Sequence, residues 1–489
     1  MTRGSYVNGT WYHPRSHELV RNTNPANLDD IIDEFPAAQA TDVERAVEAA
    51  VTAFATWRRT PAPERARVVW RATEIARARH ESLARMLTRE EGKTLREARG
   101  EVTKGINVLE YYAGEGFRLQ GQTLPSELKD VFTYTVRRPL GVVGMITPWN
   151  FPWALPAWKI APALVAGNTV VFKPSELTPA TAASLVEIFA EAGLPPGVLN
   201  MVVGTGAVVG KAIVDHPKIA AISFTGSNAV GEAIHAAAAR RGAKVTCEMG
   251  GKNAVIVLAD ANLARAVPAI HGGAFGSTGQ RCTATSRVIV DRAIKPQLLD
   301  ALVAKARAVK VGDPTLDATD MGPAVSDKQF AQDLRYLEVG QAEGARVVLA
   351  GGRDEEAGNG YFVKPTIFDG VTRTMRIFQE EIFGPDLGLV EVNGTDEAIA
   401  VANDVRFGLS SSVFTESLDH AMRFVEETET GMIHVNEPTV GGEAQLPFGG
   451  IKATGVGARE MGQEGINFFT ELRTVFINYS GVGERSLVR

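Results

Sequence analysis

Cys282 lies in the run His271 to Arg287, with Gly272, Gly273, Gly276 and Gly279 before it and the β-branched run Val288-Ile289-Val290 after it. A thiol on a Gly-rich turn that leads into a buried strand sits where backbone can come close to a ligand. A cysteine so placed is a candidate nucleophile; the alternative is a cysteine that simply packs in a core, as free Cys commonly does. Glu248 stands on a rim between strand and loop, in Thr246-Cys247-Glu248-Met249-Gly250-Gly251. In an apolar, Gly-lined site a carboxyl is pushed toward neutrality and can serve as a general base; on an open surface it would be one solvated charge among many. Asn150, in Pro148-Trp149-Asn150-Phe151-Pro152, is either a turn residue or an amide rigidly aimed by its aromatic and proline neighbours. Aimed, it could donate to a developing oxyanion, an interaction typically worth about 3 kcal/mol.

Two further segments could hold a ligand. Lys173 and Glu176 follow a strand directly. They form either a surface salt bridge or a ribose site, since a lysine there can hold hydroxyls or phosphate and a carboxylate can accept from a ribose 2′-OH while repelling a 2′-phosphate. Phe224-Thr225-Gly226-Ser227-Asn228-Ala229-Val230-Gly231 is a strand-to-helix turn whose helix N-terminus could face a phosphate. Its glycines are spaced Gly-x4-Gly, so the Gly-x-Gly-x2-Gly dinucleotide fingerprint is absent.

The elements that must position these residues follow from periodicity. From 141 to 260 short apolar runs alternate with helical segments: 142–146, 169–173, 199–203, 220–224, 245 onward and 254–258 predict strands, with helices at about 153–166, 178–192, up to 216, and 228–240. This is the grammar of a parallel sheet with helices on both faces, whose ligands lie outside the carboxyl ends of the strands. Those ends are Pro148-Trp149-Asn150, Lys173-Pro174-Ser175-Glu176, Gly204-Thr205-Gly206 and Thr225-Gly226-Ser227. A second α/β domain is expected from near Gly251, with strands at 287–291, 346–350, 387–392 and 432–436. Ahead of both, residues 1–40 are turn-rich, punctuated by Asn8-Gly9 and Asn24-Pro25. Thr41 is expected to open a helix, with Glu44 completing a capping box, followed by helices from about 63 to 91 and from about 95 to 119. Two ribbons stand apart: 127–142, where Phe132, Tyr134 and Val136 alternate with Thr133, Thr135 and Arg137, and the closing Thr474-Val475-Phe476-Ile477. Solitary strands in a chain with ample core are expected to pair elsewhere, as at an oligomer interface, or to form a surface hairpin.

Composition bounds what the chain can be. Its 489 residues, 45% hydrophobic and 22% charged, suit a globular protein of two or three domains. A net charge of −6 and the lack of any basic run beyond isolated Arg pairs argue against nucleic acid as a partner. Cys247 and Cys282 are the only cysteines, too few for a disulfide framework and without metal-ligand spacing to the histidines, so no metal is expected and a reducing, cytoplasmic setting fits. The N-terminus lacks a signal-peptide core, and the apolar stretch 148–166 is broken by Pro152, Pro156, Lys159 and Pro162, so no membrane partner is expected.

Taken together, Asn150, Lys173-Pro174-Ser175-Glu176, Phe224-Thr225-Gly226-Ser227, Glu248-Met249-Gly250-Gly251-Lys252, Gly279-Gln280-Arg281-Cys282, Glu381-Ile382-Phe383-Gly384-Pro385 and Pro447-Phe448-Gly449-Gly450 resemble the motifs of the NAD(P)-dependent aldehyde dehydrogenase superfamily, in order and across nearly the whole chain. The resemblance implies Cys282 as nucleophile, Glu248 as general base, and Asn150 with the Cys282 backbone N–H as oxyanion donors. It implies Lys173 and Glu176 at the adenosine ribose, Gly226, Ser227 and Gly231 at the pyrophosphate, and Glu381 and Phe383 at the nicotinamide end. Ile146, Trp149 and Gly206 complete the implied cofactor set, and Phe151, Trp158 and Phe448 the substrate set. The implied fold has two doubly wound parallel-sheet domains plus a small β oligomerisation ribbon: a cofactor domain over 1–123 and 141–250, a catalytic domain over 251–448, and a ribbon over 124–140 and 467–489. A homodimer or homotetramer is the implied assembly.

Within the resemblance, Glu248 favours hydrolysis of the acyl-enzyme over transfer to coenzyme A, and Glu176 favours NAD, with NADP possible. Cys282-Thr283-Ala284-Thr285-Ser286-Arg287 and Val440 to Pro447 are similar to α-ketoglutarate semialdehyde (2,5-dioxopentanoate) dehydrogenases, with succinate-semialdehyde and aromatic aldehyde enzymes nearby. An acidic substrate would want a cation at the tunnel mouth. Arg281 is not assigned that task, because neighbours in an extended segment point to opposite sides. The rival from another class is a non-catalytic structural protein on the same fold, which would be free to lose Cys282 or Glu248.

Overall fold

A computed structural model describes residues 4–481; residues 1–3 and the expected end of the ribbon, 482–489, lie outside the described residues. Two parallel sheets dominate. In the first the strands run Thr10–Tyr12, Ser5–Val7, Leu199–Met201, Thr169–Lys173, Val142–Ile146, Ile219–Thr225, Lys244–Glu248 and Gly455–Val456 across the sheet. Its middle is parallel and its two edges antiparallel. Alternation along these strands feeds two cores: Val143, Met145, Val170 and Phe172 enter one, and Val142, Ile146, Val171 and Ile222 the other. Burial on both faces is why the strands read as unbroken apolar runs.

The second sheet has the order Arg346–Leu349, Thr366–Asp369, Asp386–Val392, Thr285–Asp291, Asn253–Val257, Ser410–Phe414, Met432–Val435, parallel apart from the antiparallel edge at Arg346–Leu349. Ala254, Ile256 and Ile289 face one core while Val255, Val257 and Val288 face the other. The doubly wound fold class expected from the sequence is therefore what the chain adopts. The chain crosses between the sheets from Glu248 to Asn253 and returns to the first at Gly455–Val456.

Several local expectations change. The N-terminal stretch is not only turns: Ser5–Val7 pairs with Thr10–Tyr12, and Leu19–Thr23 with Ile31–Pro36. Asn8 and Gly9, at φ 51° and 83°, form the two-residue bend of the first hairpin, so an Asn-Gly pair that reads as loop punctuation is a hairpin signal. The first helix is Ala40–Trp57, and its capping box is made by Gln39 and Asp42 rather than Thr41 and Glu44. The long helix expected to about residue 91 breaks into Ala62–Ala78 and His80–Glu91 at Arg79, and the next is Leu95–Glu115, stopping short of 119. The two ribbons are not solitary. Val131–Pro139 pairs antiparallel with Thr470–Asn478, from Pro139↔Thr470 to Val131↔Asn478, a partnership that periodicity cannot reveal across so long a stretch of sequence.

Candidate active site

The carboxyl ends of three strands of the first sheet deliver Trp149 and Asn150, Thr225 to Ser227, and Glu248 to Gly250 to one cavity of about 890 Å³. The opposite wall comes from the turn around Cys282, the Glu381–Phe383 loop and Phe448.

Cys282 is carried by an irregular turn. After the helix Leu263–Phe275 the backbone turns left-handed at Ser277, Thr278 and Gly279, with φ of 50°, 57° and 69°. Two non-glycine residues in that region store strain that surrounding contacts must hold. Gly279 has no alternative: a Cβ there would lie 2.0 Å from the Gly384 carbonyl oxygen. The segment is pinned from outside. Asn253 Nδ2 donates to the carbonyls of Cys282 and Ala284, both at 2.8 Å, and the Val325 N–H donates to Gln280 Oε1 at 2.9 Å. Burial pushes the Cys282 thiol up to about 12, with Glu381 adding to the shift and Lys104 opposing it. At neutral pH the thiol is protonated, so nucleophilic use requires a proton acceptor or a further positive charge.

Asn150 Nδ2 donates to the Gln280 carbonyl at 3.1 Å, fixing the amide two residues from Cys282. An amide nitrogen carries two hydrogens, so one remains for an oxygen in the cavity. The Asn150 backbone carbonyl accepts from Lys93 Nζ at 2.7 Å, and that ammonium also binds Glu101 at 2.7 Å. Glu101 accepts from the backbone N–H groups of Trp153 and Ala154, capping the next helix.

Glu248 ends its strand and is buried. One carboxyl oxygen accepts from the Gly450 N–H at 3.3 Å. Gly449, at φ 148°, leaves room for the other, since a Cβ there would lie 2.3 Å from Glu248 Oε1. Burial and, after it, the neighbouring Glu460 hold the Glu248 carboxyl well above its usual range.

The features around Thr225 fit a dinucleotide. Thr225 Oγ1 is buried without a hydrogen-bond partner among the described residues. The helix Asn228–Arg240 that follows has no side-chain cap, so its first N–H groups are available to a phosphate. The Gly251 N–H donates to Glu381 Oε1 at 2.9 Å, and burial raises that carboxyl to about 7. Phe383 meets Trp149 edge to face at 5.5 Å. Glu176 reaches the cavity with its side chain 44% exposed, while Lys173 stands behind it, bonded to Glu176 at 3.1 Å and to the Pro174 carbonyl at 2.8 Å.

Of the residues singled out from the sequence, the wall takes in Cys282, Glu248, Asn150, Trp149, Glu176, Gly226, Ser227, Glu381, Phe383, Phe151, Trp158 and Phe448. It does not take in Ile146, Lys173, Gly206 or Gly231. Gly231 faces Met249 instead, whose sulfur would be 2.4 Å from a Cβ. Two residues were misjudged or missed. Arg281 is not in an extended segment: the Arg281 N–H donates to Gly279 and the Ala284 N–H to Arg281, so the turn brings Arg281 and Cys282 to the same cavity. Lys104 lies over the rings of Trp158 and Phe448, its Nζ 5.1 and 5.9 Å from their centroids. The signal for it was available, because Glu97, Gly100, Glu101 and Lys104 recur at helical spacing.

A thiol, an amide donor and a buried carboxyl on one cavity can add a nucleophile to a carbonyl, hold the resulting alkoxide and deprotonate water. Comparison with known proteins agrees with this chemistry. The pattern described as "Aldehyde dehydrogenase family" matches residues 11–475. The chain is 47% identical to an alpha-ketoglutaric semialdehyde dehydrogenase of Bacillus subtilis, covering 97% of each chain. It is 43% identical to a 2,5-dioxopentanoate dehydrogenase of Saccharolobus solfataricus, over 94% of this chain and 96% of the relative. Among solved structures it is similar to betaine aldehyde dehydrogenase from Staphylococcus aureus in complex with NAD+, at a TM-score of 0.96 and 32% identity, covering 100% of this chain and 97% of that one.

Proposed function

The chain belongs to the aldehyde dehydrogenase family, and from that premise we propose that it oxidises a small semialdehyde, such as α-ketoglutarate semialdehyde, to the corresponding acid with NAD. NAD(P)-dependent aldehyde oxidation is the activity of the family; the substrate and the roles below are the proposal. The observation that carries it is the convergence of Cys282, Asn150 and Glu248 on one cavity that also holds Glu381 and the turn at Gly226.

In this reading the Cys282 thiolate adds to the aldehyde carbon and forms a thiohemiacetal. The free hydrogen of the Asn150 amide and the Cys282 backbone N–H donate to its oxyanion, stabilising charge that is absent from the free aldehyde. When bound, NAD supplies the acceptor for the hydride whose departure leaves a thioester on Cys282. Glu248 then takes a proton from water, which attacks the thioester and frees the acid. Glu176 would hold the adenosine ribose with Lys173 behind it, the open N-terminus of Asn228–Arg240 would take the pyrophosphate, and Glu381 and Phe383 the nicotinamide end. A carboxylate at the ribose supports NAD as the preferred cofactor and NADP as the weaker one. Succinate semialdehyde and aromatic aldehydes are the less favoured substrates, given the names borne by the relatives.

The experiment is an aldehyde panel followed by the absorbance of reduced nicotinamide, run with NAD and with NADP. The expected result is a higher kcat/KM for semialdehydes with a carboxylate than for neutral aldehydes of equal length. No aldehyde-dependent reduction of either cofactor would end the proposal.

The wider organisation follows the same reading. Residues 1–123 and 141–250 make the cofactor domain, 251–448 the catalytic domain, and 124–140 with 467–489 a ribbon that joins a second copy of the chain in a homodimer or homotetramer. Support for the last comes from an apolar face left open, with Phe132 and its cross-strand partner Ile477 each at 45% exposure. Two free thiols suit a reducing compartment, and we assign the protein to the cytoplasm. Among the described residues no helix is long and apolar enough to cross a membrane.

A further inference from the structure

We propose that Lys104 is the residue that selects carboxylate-bearing aldehydes, by pairing directly with the acid group of the substrate. The inference rests on the semialdehyde reading above and adds the group that enforces it.

The cavity wall offers four cations, Lys93, Lys104, Arg281 and Lys328, and their partners separate them. The Lys93 ammonium is spent on Glu101 and the Asn150 carbonyl, each at 2.7 Å. The Arg281 guanidinium is held by Ser277 Oγ at 2.8 Å and Glu97 at 3.3 Å. Lys328 is exposed and lies near Gln329 and Gln332, whose amides reach the Ile382 carbonyl, so it belongs to the end of the cavity beside Glu381 and Phe383. Lys104 differs from Lys93 and Arg281 in that its ammonium has no hydrogen bond or ion pair among the described residues, and from the exposed Lys328 in being half-buried over the faces of Trp158 and Phe448. Glu101 is the near carboxylate whose charge it feels, but that group is engaged by Lys93 and by two backbone N–H groups.

A cation over two neighbouring aromatic rings, partly out of water and without a counter-ion, gains more from an incoming anion than a solvated surface lysine does. Burial lowers the pKa of Lys104, as expected for an ammonium that has lost hydration without forming an ion pair in return. Lys104 is on the helix Leu95–Glu115, whose start is fixed by a capping box between Thr94 and Glu97. Gly442 stands beside the ammonium, where a Cβ would lie 3.5 Å from Nζ, an ordinary contact distance. Lys104 also shares an electrostatic environment with Cys282, so an acid held by one end brings its aldehyde to the thiol's cavity.

The test compares the full-length enzyme with K104M, K104R and R281M on succinate semialdehyde and α-ketoglutarate semialdehyde against butanal and pentanal, with NAD. K104M should lower the ratio of acid to neutral kcat/KM by roughly 10- to 100-fold, the weight of a hydrogen bond to a charged group, through KM rather than kcat. K104R should recover part of that ratio. Three results overturn the inference while leaving the semialdehyde reading intact: K104M keeps the wild-type ratio, R281M abolishes it while K104M does not, or K104M loses acid and neutral aldehydes alike. A wild-type enzyme with no preference for acids would defeat the semialdehyde reading itself, and the role of Lys104 with it.

Discussion

The two cysteines of this chain sit in two regions that treat the same side chain in opposite ways. Cys247 is the fourth residue of the strand Lys244–Glu248, packed in the core with Phe224 and Met249, its sulfur 3.7 Å from the Gly231 carbonyl. Cys282 is on the irregular turn behind Gly279, half-buried and open to the large cavity. Burial pushes both thiols up to about 12. Intrinsic acidity therefore does not distinguish a reacting thiol from a packing one here. Access does, together with what surrounds the sulfur: amide donors and a neighbouring carboxyl for one, apolar side chains for the other. Strand alternation sharpens the contrast, since it sends Cys247 to the core and the next residue, Glu248, to the cavity.

The largest expected effect is on the turn. C282A should reduce aldehyde-dependent NADH formation by at least about 10⁴-fold, the scale of removing a nucleophile, while C247A stays active. Equal losses in the two variants would erase the comparison. E248Q should slow turnover by roughly 10²–10⁴-fold, the usual weight of a general base, and a burst of NADH in the first turnover should survive if the loss falls on thioester hydrolysis. Removing the amide donor with N150A should cost roughly 10²–10³ in kcat; a change confined to KM would take Asn150 out of oxyanion stabilisation. The pH profile is the next test. Both Cys282 and Glu248 have raised proton affinity and must be deprotonated to act, so kcat/KM should climb as pH rises through the neutral range. A plateau already reached below pH 7 would mean that a positive charge beyond Lys104 lowers the thiol. The smallest effect is on the core thiol: C247A should lose about 1 kcal/mol of stability in denaturant unfolding, the typical loss for a modest core truncation, with the pH profile unmoved.

Much of this architecture was legible in the sequence because its signals are local. Unbroken apolar runs marked the strands Val142–Ile146 and Thr169–Lys173, and the order of seven short motifs marked the family. What escaped is what depends on partners distant in the chain. The pairing of Val131–Pro139 with Thr470–Asn478 is one case. The placing of Arg281 is another, because an extended segment was assumed where Ser277 and Thr278 turn left-handed under contacts from elsewhere.

The sequence by itself determined the secondary-structure alternation, the chemistry on offer and the residues able to perform it, since these follow from side-chain type and short-range period. Only the tertiary structure decided which cations are already neutralised and which is free. Lys93, Lys104 and Arg281 all read as cations in the sequence, and the difference lies in Glu101 and Glu97 claiming two of them. An ion pair is fixed by distances of a few ångströms between elements that fold together, and no local pattern in the chain records those distances.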